Sequence, residues 1–114
     1  MPYLCIKTNQ SIAPEPRREL LQEVSRTVAQ LLGKPERYVM VSIDDGREML
    51  FAGSDAPLAY LELKSIGLPG GRTAELSAGL CTLVQSALGI PADRIYIEFS
   101  DAARHLWGWD GATF

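Results

Sequence analysis

The sequence predicts an α/β (α+β) domain of two pseudo-symmetric β-α-β units, which form a four-stranded mixed sheet with two helices on one face. Two observations carry this prediction. Short sequence matches recur about 56 residues apart, as between Gly33 and Gly89. Each half also has the pattern of a strand, an amphipathic helix and a second strand. At 114 residues the chain has the length of one domain, residues 1–114.

The repeat sets the order of the elements, because each segment of the first half has a counterpart in the second. Two such units make one pseudo-symmetric domain, since a solenoid needs at least about three repeats. The matching segments are Tyr3–Thr8 with Tyr60–Ser65, Leu32–Pro35 with Leu88–Pro91, and Tyr38–Asp45 with Arg94–Asp101.

The first helix is predicted over Pro14–Leu32. Prolines 14 and 16 are tolerable only in or before the first turn, where no intrahelical donor is lost. Gly33 suits a left-handed cap, and Pro35 prevents continuation. The apolar stripe that would face the sheet consists of Leu20, Leu21, Val24, Val28, Leu31 and Leu32.

The second helix, predicted over Arg72–Leu88, repeats this design. Gly89 and Pro91 stop it in the same way. Its apolar stripe consists of Leu76, Leu80, Leu83, Val84 and Leu88.

The connections and the second sheet face complete the fold prediction. Asp45-Gly46 is typical of a hairpin turn, and Ser54–Pro57 is typical of a loop. Strands that flank a crossover helix pair in parallel with right-handed connections. Because both helices cover one face, the other face is expected to be apolar enough to need a partner chain, which favours an oligomer.

Composition and charge exclude several functions. The chain is 46% hydrophobic with a net charge of −3, and its basic residues are scattered, so no nucleic-acid partner is expected. No apolar run suits a membrane span and no signal peptide is visible, so a cytoplasmic protein without a membrane partner is expected. Cys5 and Cys81 are expected to be buried free thiols. No spacing indicates a metal or a cofactor.

The residue with the clearest chemical potential is Pro2. A small second residue normally permits removal of Met1, which would leave a secondary amine at the start of the first strand. A free α-amine titrates near pH ~7.7–8, so modest desolvation makes it a general base at neutral pH. Met-Pro is also a common chain start, and by itself it does not establish catalysis.

The other candidate sites carry weaker signals. Gly67–Gly71 could direct backbone donors at an anion, but it lacks the spacing of a P-loop, and a structural turn is favoured. His105 is interpreted as a solvated loop histidine. The carboxylates of Asp44, Asp45 and Glu98 are isolated. The aromatic tail, with Trp107, Trp109 and Phe114, either packs against the domain or lines an apolar pocket for an aromatic ligand.

Taken together, several motifs resemble those of the macrophage migration inhibitory factor family, within the tautomerase superfamily, over essentially the whole chain. The motifs are Met1-Pro2, Thr8-Asn9, Gly33-Lys34-Pro35, Ser65-Ile66-Gly67, Asp93–Ile97, Gly108-Trp109 and Thr113-Phe114.

The resemblance implies a homotrimer with three active sites at the subunit interfaces. Pro2 would be the catalytic base of a keto–enol tautomerase, an isomerase of phenylpyruvate-like α-keto acids or dopachrome-like substrates, with no cofactor. Lys34 would hold the substrate carboxylate and the backbone of Ile66 would contact substrate. Tyr96 would come from the adjacent subunit. An aromatic rim would consist of Tyr38, Trp109 and Phe114.

Three departures from the family pattern qualify these expectations. Glu98 stands where the family has an asparagine in the same neighbouring strand, so it would change the charge of the substrate pocket. Trp107 replaces a small aliphatic residue and is expected to narrow the pocket mouth. The family's Cys-x-x-Cys falls on Leu58–Leu61, so thiol-disulfide oxidoreductase activity is not expected.

Two alternative functions remain open at this stage. One is a cytokine-like interaction protein in which the tautomerase site is vestigial or serves recognition. The other is a superfamily hydratase or dehalogenase. Such a reaction needs further arginine or glutamate groups to bind the substrate and activate water, and only Glu98 indicates it.

Overall fold

The fold of residues 1–114, described by a computed structural model, follows the predicted order of elements. Two halves of strand, helix and strand precede a small C-terminal hairpin. The elements are β1 (Tyr3–Thr8), α1 (Pro14–Leu32), β2 (Met40–Asp44), β3 (Ala59–Ile66), α2 (Thr73–Leu88), β4 (Ile95–Ala102), β5 (Gly108–Trp109) and β6 (Ala112–Thr113).

The four long strands form one mixed sheet in the order β2-β1-β3-β4. β1 pairs in parallel with β2, and β3 pairs in parallel with β4, as expected for strands joined by crossover helices. The two halves meet along the antiparallel pair β1–β3, where Tyr3 lies opposite Lys64 and Lys7 opposite Tyr60. This confirms the predicted fold class. No helix of the structure is both long and apolar enough to cross a membrane.

The core lies between one sheet face and the two helices. Alternate residues of β1 and β3 point into it, and both helices contribute the stripes that their spacing predicted. Burying one such leucine or isoleucine side chain contributes roughly 1.5–3 kcal/mol. The fully or almost fully buried members include Leu4, Ile6, Val24, Val28, Leu61, Leu63, Leu76, Leu80, Val84 and Ile90.

Both helices end as the sequence predicts. Gly33 and Gly89 adopt φ values of 63° and 69°, which side chains with a Cβ rarely tolerate. A proline follows two residues later in each half, and the chain then makes a short 3-10 turn before the next strand. The second strands therefore begin at Met40 and Ile95, later than predicted, because the residues just before them belong to those turns.

The hairpin predicted at Asp45-Gly46 is absent. β2 pairs with β1 in parallel, so the chain leaves the sheet here instead of folding back on it. The backbone N–H of Gly46 donates to the Gln10 carbonyl at 2.9 Å, which ties this turn to the segment after β1. A tight turn closes later, where Phe51 and Ser54 exchange two backbone hydrogen bonds of 3.0 Å.

The second sheet face, expected to be apolar, is mixed, because Tyr3 and Tyr60 share it with charged residues. Its two central strands carry Lys7, Glu62 and Lys64, and the Glu62 carboxylate lies 3.9 and 3.6 Å from the two ammonium groups. Alternation along a strand puts charged residues on this face because only the helix-covered face is dehydrated. Two exposed large apolar residues, Met40 and Tyr96, lie on this face in its edge strands. The others, Leu50, Leu106 and Trp109, lie outside the four-stranded sheet.

Candidate functional site

Pro2 lies at the bottom of a cavity of about 230 Å³ where β1 begins. Its side chain is fully buried. Its carbonyl accepts the backbone N–H of Met40 at 2.9 Å, which extends the β1–β2 ladder to the first residues of the chain. The cavity is lined by Met1, Pro2, Tyr3, Arg37, Tyr38, Val39, Met40, Trp107, Gly108, Trp109 and Phe114.

Three aromatic rings form one wall of this cavity. Trp109 and Phe114 stack with centroids 5.4 Å apart and planes 15° from parallel. The ring of Tyr38 meets both edge-on, at 5.8 and 6.0 Å. The C-terminal segment therefore both packs against the domain and lines a cavity, which combines the two interpretations left open by the sequence.

The terminal amine next to Pro2 is held in a defined place. With Met1 present, its ammonium donates to the Tyr38 carbonyl at 2.8 Å. Partial burial and the positive charge of Lys34, in that order, lower the pKa of this amine. The surroundings of the chain start thus favour the neutral amine more than water does.

Lys34 is positioned by two backbone turns. It directly follows the left-handed Gly33 at the end of α1, and its Nζ donates to the Ile66 carbonyl at 2.8 Å. Ile66 is the last residue of β3, and Gly67 with φ of 64° turns the chain away there. A helix end and a strand end therefore come together, and the charge they hold acts on the N-terminal amine.

Comparison with known proteins identifies the family of the chain. The family model described as macrophage migration inhibitory factor (MIF) matches residues 1–114. The chain belongs to the macrophage migration inhibitory factor family. It therefore belongs to the tautomerase superfamily as well.

Relatives of very different origin share both sequence and fold. A migration inhibitory factor homolog of Brugia malayi is 40% identical over 118 residues, covering 100% of this chain and 99% of that protein. The crystal structure of a homologue from Prochlorococcus marinus matches with a TM-score of 0.92 and 48% identity, covering 98% of both chains. The structure from Trichinella spiralis matches at a TM-score of 0.90 and 34% identity, covering 98% and 99%.

Tyr96 and Glu98 lie outside the cavity of their own chain. Tyr96 is opposite Tyr60, which in turn is opposite Lys7 at the far end of β1 from Pro2. Tyr96 is 65% exposed and packs on Phe51 with ring centroids 4.6 Å apart. Glu98 accepts the Tyr60 hydroxyl at 2.7 Å, and this bond raises the pKa of Tyr60 to about 12. Neither residue therefore lines the cavity at Pro2 of its own chain.

Arg37 is a cavity residue that the sequence did not reveal. Its guanidinium lies over the ring of Tyr38, 4.8 Å from the centroid, within the 3-10 turn Glu36–Tyr38. In the sequence alone, little distinguishes Arg37 from any other arginine at the surface. Its position next to the aromatic Tyr38 was the one available signal.

The remaining candidates from the sequence lie in turns, at the surface or in the core. The segment Gly67–Gly71 leads into a 3-10 turn, and the backbone N–H of Leu68 donates to the Asp101 carboxylate at 3.0 Å. His105 is exposed in another 3-10 turn. Cys5 is buried, Cys81 is half-buried, and both are free. No three His, Cys, Asp or Glu side chains cluster as metal ligands would.

Two of the isolated carboxylates are engaged by arginines. Asp44 lies 2.6 Å from Arg47, and Asp45 lies 2.9 Å from Arg17. Asp45 also accepts the backbone N–H of Ile12 at 2.8 Å, and this bond, followed by the bond to Arg17, lowers the pKa of the carboxyl. These groups stabilise loops on the side of the sheet that leads into α1.

Proposed function

We propose that this protein is a keto–enol tautomerase that uses the free secondary amine of Pro2 as its catalytic base. The observation that carries the proposal is a buried proline that lines an aromatic cavity at the start of β1, where burial and Lys34 lower the pKa of the adjacent Met1 amine. Family membership supports the reaction class. Its substrates are phenylpyruvate-like α-keto acids or dopachrome-like compounds.

The proposed reaction moves one proton between carbon and oxygen. The neutral Pro2 nitrogen takes a proton from the carbon next to the ketone, and the resulting enolate oxygen is protonated to give the enol. The ammonium formed on Pro2 returns its proton to solvent or to the product. No electron or atom is lost, so the reaction needs no cofactor.

Two features of the site suit this chemistry. Lys34 supplies a fixed positive charge for the substrate carboxylate, which orients the acidic carbon toward the base. The wall of Tyr38, Trp109 and Phe114 suits an aromatic ring and excludes water, which keeps the amine neutral. Trp107 also lines the cavity, in keeping with a narrower mouth.

We also propose that the active form is a homotrimer. The exposed Tyr96 and its neighbour Phe51 support this, because a large aromatic pair at a sheet edge is costly to leave in water. A neighbouring copy would then bring Tyr96 and Glu98 to the cavity of the next chain. Sedimentation of the active protein is expected to give a trimer, and a fully active monomer at the assay concentration would contradict this.

Two variants test the catalytic assignments with phenylpyruvate. Pro2→Gly retains a primary amine but loses the ring that directs it, so kcat is expected to fall at least about tenfold. Lys34→Ala is expected to raise KM. It is also expected to move the acidic limb of the pH–rate profile to higher pH, because the charge of Lys34, which lowers the pKa of the Met1 amine, would act on the adjacent Pro2 nitrogen as well.

The matched control is Lys64→Ala, which removes an exposed lysine of the open sheet face. Its kinetics are expected to match those of the wild type. Unchanged kinetics in both Pro2→Gly and Lys34→Ala would contradict the tautomerase proposal and favour a cytokine-like interaction protein.

A further inference from the structure

The cavity at Pro2 has a cationic side chain of its own, Arg37, which is distinct from Lys34. Arg37 is the one charged side chain among its lining residues, and no Asp or Glu side chain lines it. Within the chain the Arg37 guanidinium makes neither a hydrogen bond nor an ion pair, and its contact is the face of the Tyr38 ring at 4.8 Å. Every other arginine that contacts a loop here uses its N–H groups on carboxylates or carbonyls, as Arg17, Arg47, Arg72 and Arg94 do.

This geometry leaves the guanidinium edge available. Stacking uses the planar face of arginine, and the N–H groups point outward in a fork that matches a carboxylate. The supporting ring is itself held, because Tyr38 packs edge-on against both Trp109 and Phe114. The arginine is thus oriented before any ligand arrives, which lowers the entropy lost on binding.

Lys34 does not make Arg37 redundant. The lysine lies outside the set of residues that line the cavity, and its ammonium is tied to the Ile66 carbonyl at 2.8 Å. A ligand with one carboxylate needs one of these cations. Arg37 in the cavity wall and Lys34 outside its lining, with no Asp or Glu side chain on that wall, suit a ligand with two anionic groups.

We propose that Arg37 is a specificity-determining residue that binds a second anionic group of the substrate, at the end remote from the keto acid. The preferred substrates are then α-keto acids with a distal carboxylate or a comparable anion, rather than those with a plain aromatic ring. This inference rests on the proposed tautomerase function, and its test separates the two.

The kinetic test uses two substrates that differ by one charge, phenylpyruvate and 4-carboxyphenylpyruvate. Exchange of the protons next to the ketone for solvent deuterium, followed by NMR, measures both with protein that lacks Met1. Arg37→Gln is expected to lower the ratio of kcat/KM for the diacid to that for the monoacid about fivefold. Arg37→Lys, which keeps the charge without the fork, recovers part of that ratio.

Arg18→Gln is the matched control. It removes the same charge from an exposed site on α1 without any hydrogen bond or ion pair, and is expected to leave the ratio unchanged. A ratio that also stays unchanged in Arg37→Gln overturns the proposal. An unchanged ratio is expected if Arg37 binds the same carboxylate as Lys34. It is also expected if Glu98 of a neighbouring copy already neutralises the charge of Arg37.

A binding measurement decides the proposal even if no turnover occurs. Cinnamate and 4-carboxycinnamate carry no exchangeable proton next to a ketone, and the fluorescence of Trp107 and Trp109 reports their binding. Arg37→Gln is expected to weaken the diacid about fivefold relative to the monoacid. If the protein catalyses no exchange but this difference in binding is observed, the tautomerase proposal is rejected and the anion site at Arg37 is retained. Equal weakening of both ligands rejects the site.

Discussion

The two halves of the chain share one backbone plan and use it for different purposes. Each helix ends at a left-handed glycine, and the next residue takes an equivalent place in both halves. In the first half this residue is Lys34, half-buried and bonded to the Ile66 carbonyl. In the second half it is Ile90, which is fully buried in the core.

The 3-10 turns that follow differ in the same way. The first ends in Tyr38, whose ring joins the aromatic wall and whose carbonyl accepts the N-terminal ammonium. The second ends in Arg94, whose guanidinium donates to the carbonyls of the 51–57 loop at 3.0–3.1 Å and lies over the Phe51 ring.

The difference shows which properties a duplicated unit passes on and which it does not. Helix stops, strand pairing and core positions recur because glycine, proline and apolar spacing determine them locally. The chemistry depends on single side chains, and only the first half begins at the N-terminus, where an amine is available. The second half instead stabilises the loop whose Phe51 packs on Tyr96 of β4, at the opposite end of the sheet.

Exchanging the residues after the two helix caps is expected to have the largest effect. Ile90→Lys places an ammonium in the core without a partner, which is expected to cost about 4 kcal/mol or more of the free energy of unfolding and to leave the protein largely unfolded. Lys34→Ile is expected to cost about 1 kcal/mol or less, because the Ile66 carbonyl also accepts the Ser65 hydroxyl at 3.1 Å.

Urea denaturation measures both variants. Ile90→Val serves as the control for lost packing alone and is expected to cost about 1 kcal/mol. Equal stability of the Lys34→Ile and Ile90→Lys variants would contradict the account, because it would mean that the two positions do not differ in burial.

The loop clamp of the second half is expected to have an intermediate effect. Arg94→Met keeps the side-chain stem but removes every N–H donor to the carbonyls of Phe51, Ser54, Ala56 and Pro57, so about 2 kcal/mol of stability is expected to be lost. Arg94→Lys should fall between this variant and the wild type. A change below about 0.5 kcal/mol in urea unfolding would show that water replaces the arginine without cost.

Much of the fold could be predicted because its signals are local. The bounds of α1 follow from Pro14, Gly33 and the leucine stripe, and the α2 bounds differ by one residue. The hairpin prediction at Asp45-Gly46 is wrong because turn chemistry does not say whether the next segment pairs with the last. The second sheet face was expected to be apolar only because both helices cover the other face. The alternation of side chains along β1 and β3, which brings Lys7 and Glu62 to it, was not considered.

The candidate site could be predicted only in part. The resemblance selected Pro2, Tyr38, Trp109 and Phe114, which meet in one cavity, and Lys34 with Ile66, which bond to each other. Contacts of Arg37 and Arg94 depend on where distant loops meet, and a single sequence holds no record of that. The roles of the site residues, including Tyr96 and Glu98, stay predictions.

The smallest expected effect concerns acid stability at equivalent loop caps. Asp45 directly follows β2 and Asp101 lies near the end of β4, and their carboxylates accept the backbone N–H groups of Ile12 and Leu68. The pKa of Asp45 is lowered below 3.8, so its contribution to stability is present above that pH and is lost as pH falls through the lower folded value.

Asp45→Asn is therefore expected to unfold at a slightly lower temperature than the wild type at pH 6. The two unfolding temperatures should converge as pH falls through the lowered pKa of the folded carboxyl, since the native carboxyl is then protonated too. Asp101→Asn is the control that removes the same carboxylate charge where no arginine pairs with it. A difference between Asp45→Asn and wild type that grows toward low pH would contradict the assignment.

The central claim, that the free nitrogen of Pro2 is the base, is tested most directly by inserting one alanine between Met1 and Pro2. Removal of Met1 then leaves proline acylated, so its lone pair is lost while the fold and every other side chain remain. Intact mass verifies the ends of both proteins, and deuterium exchange next to the ketone of phenylpyruvate measures turnover. We expect the wild type to lack Met1 and to catalyse the exchange, and the insertion to slow it at least about a hundredfold. Exchange within a few-fold of the wild type by the acylated protein would contradict the claim.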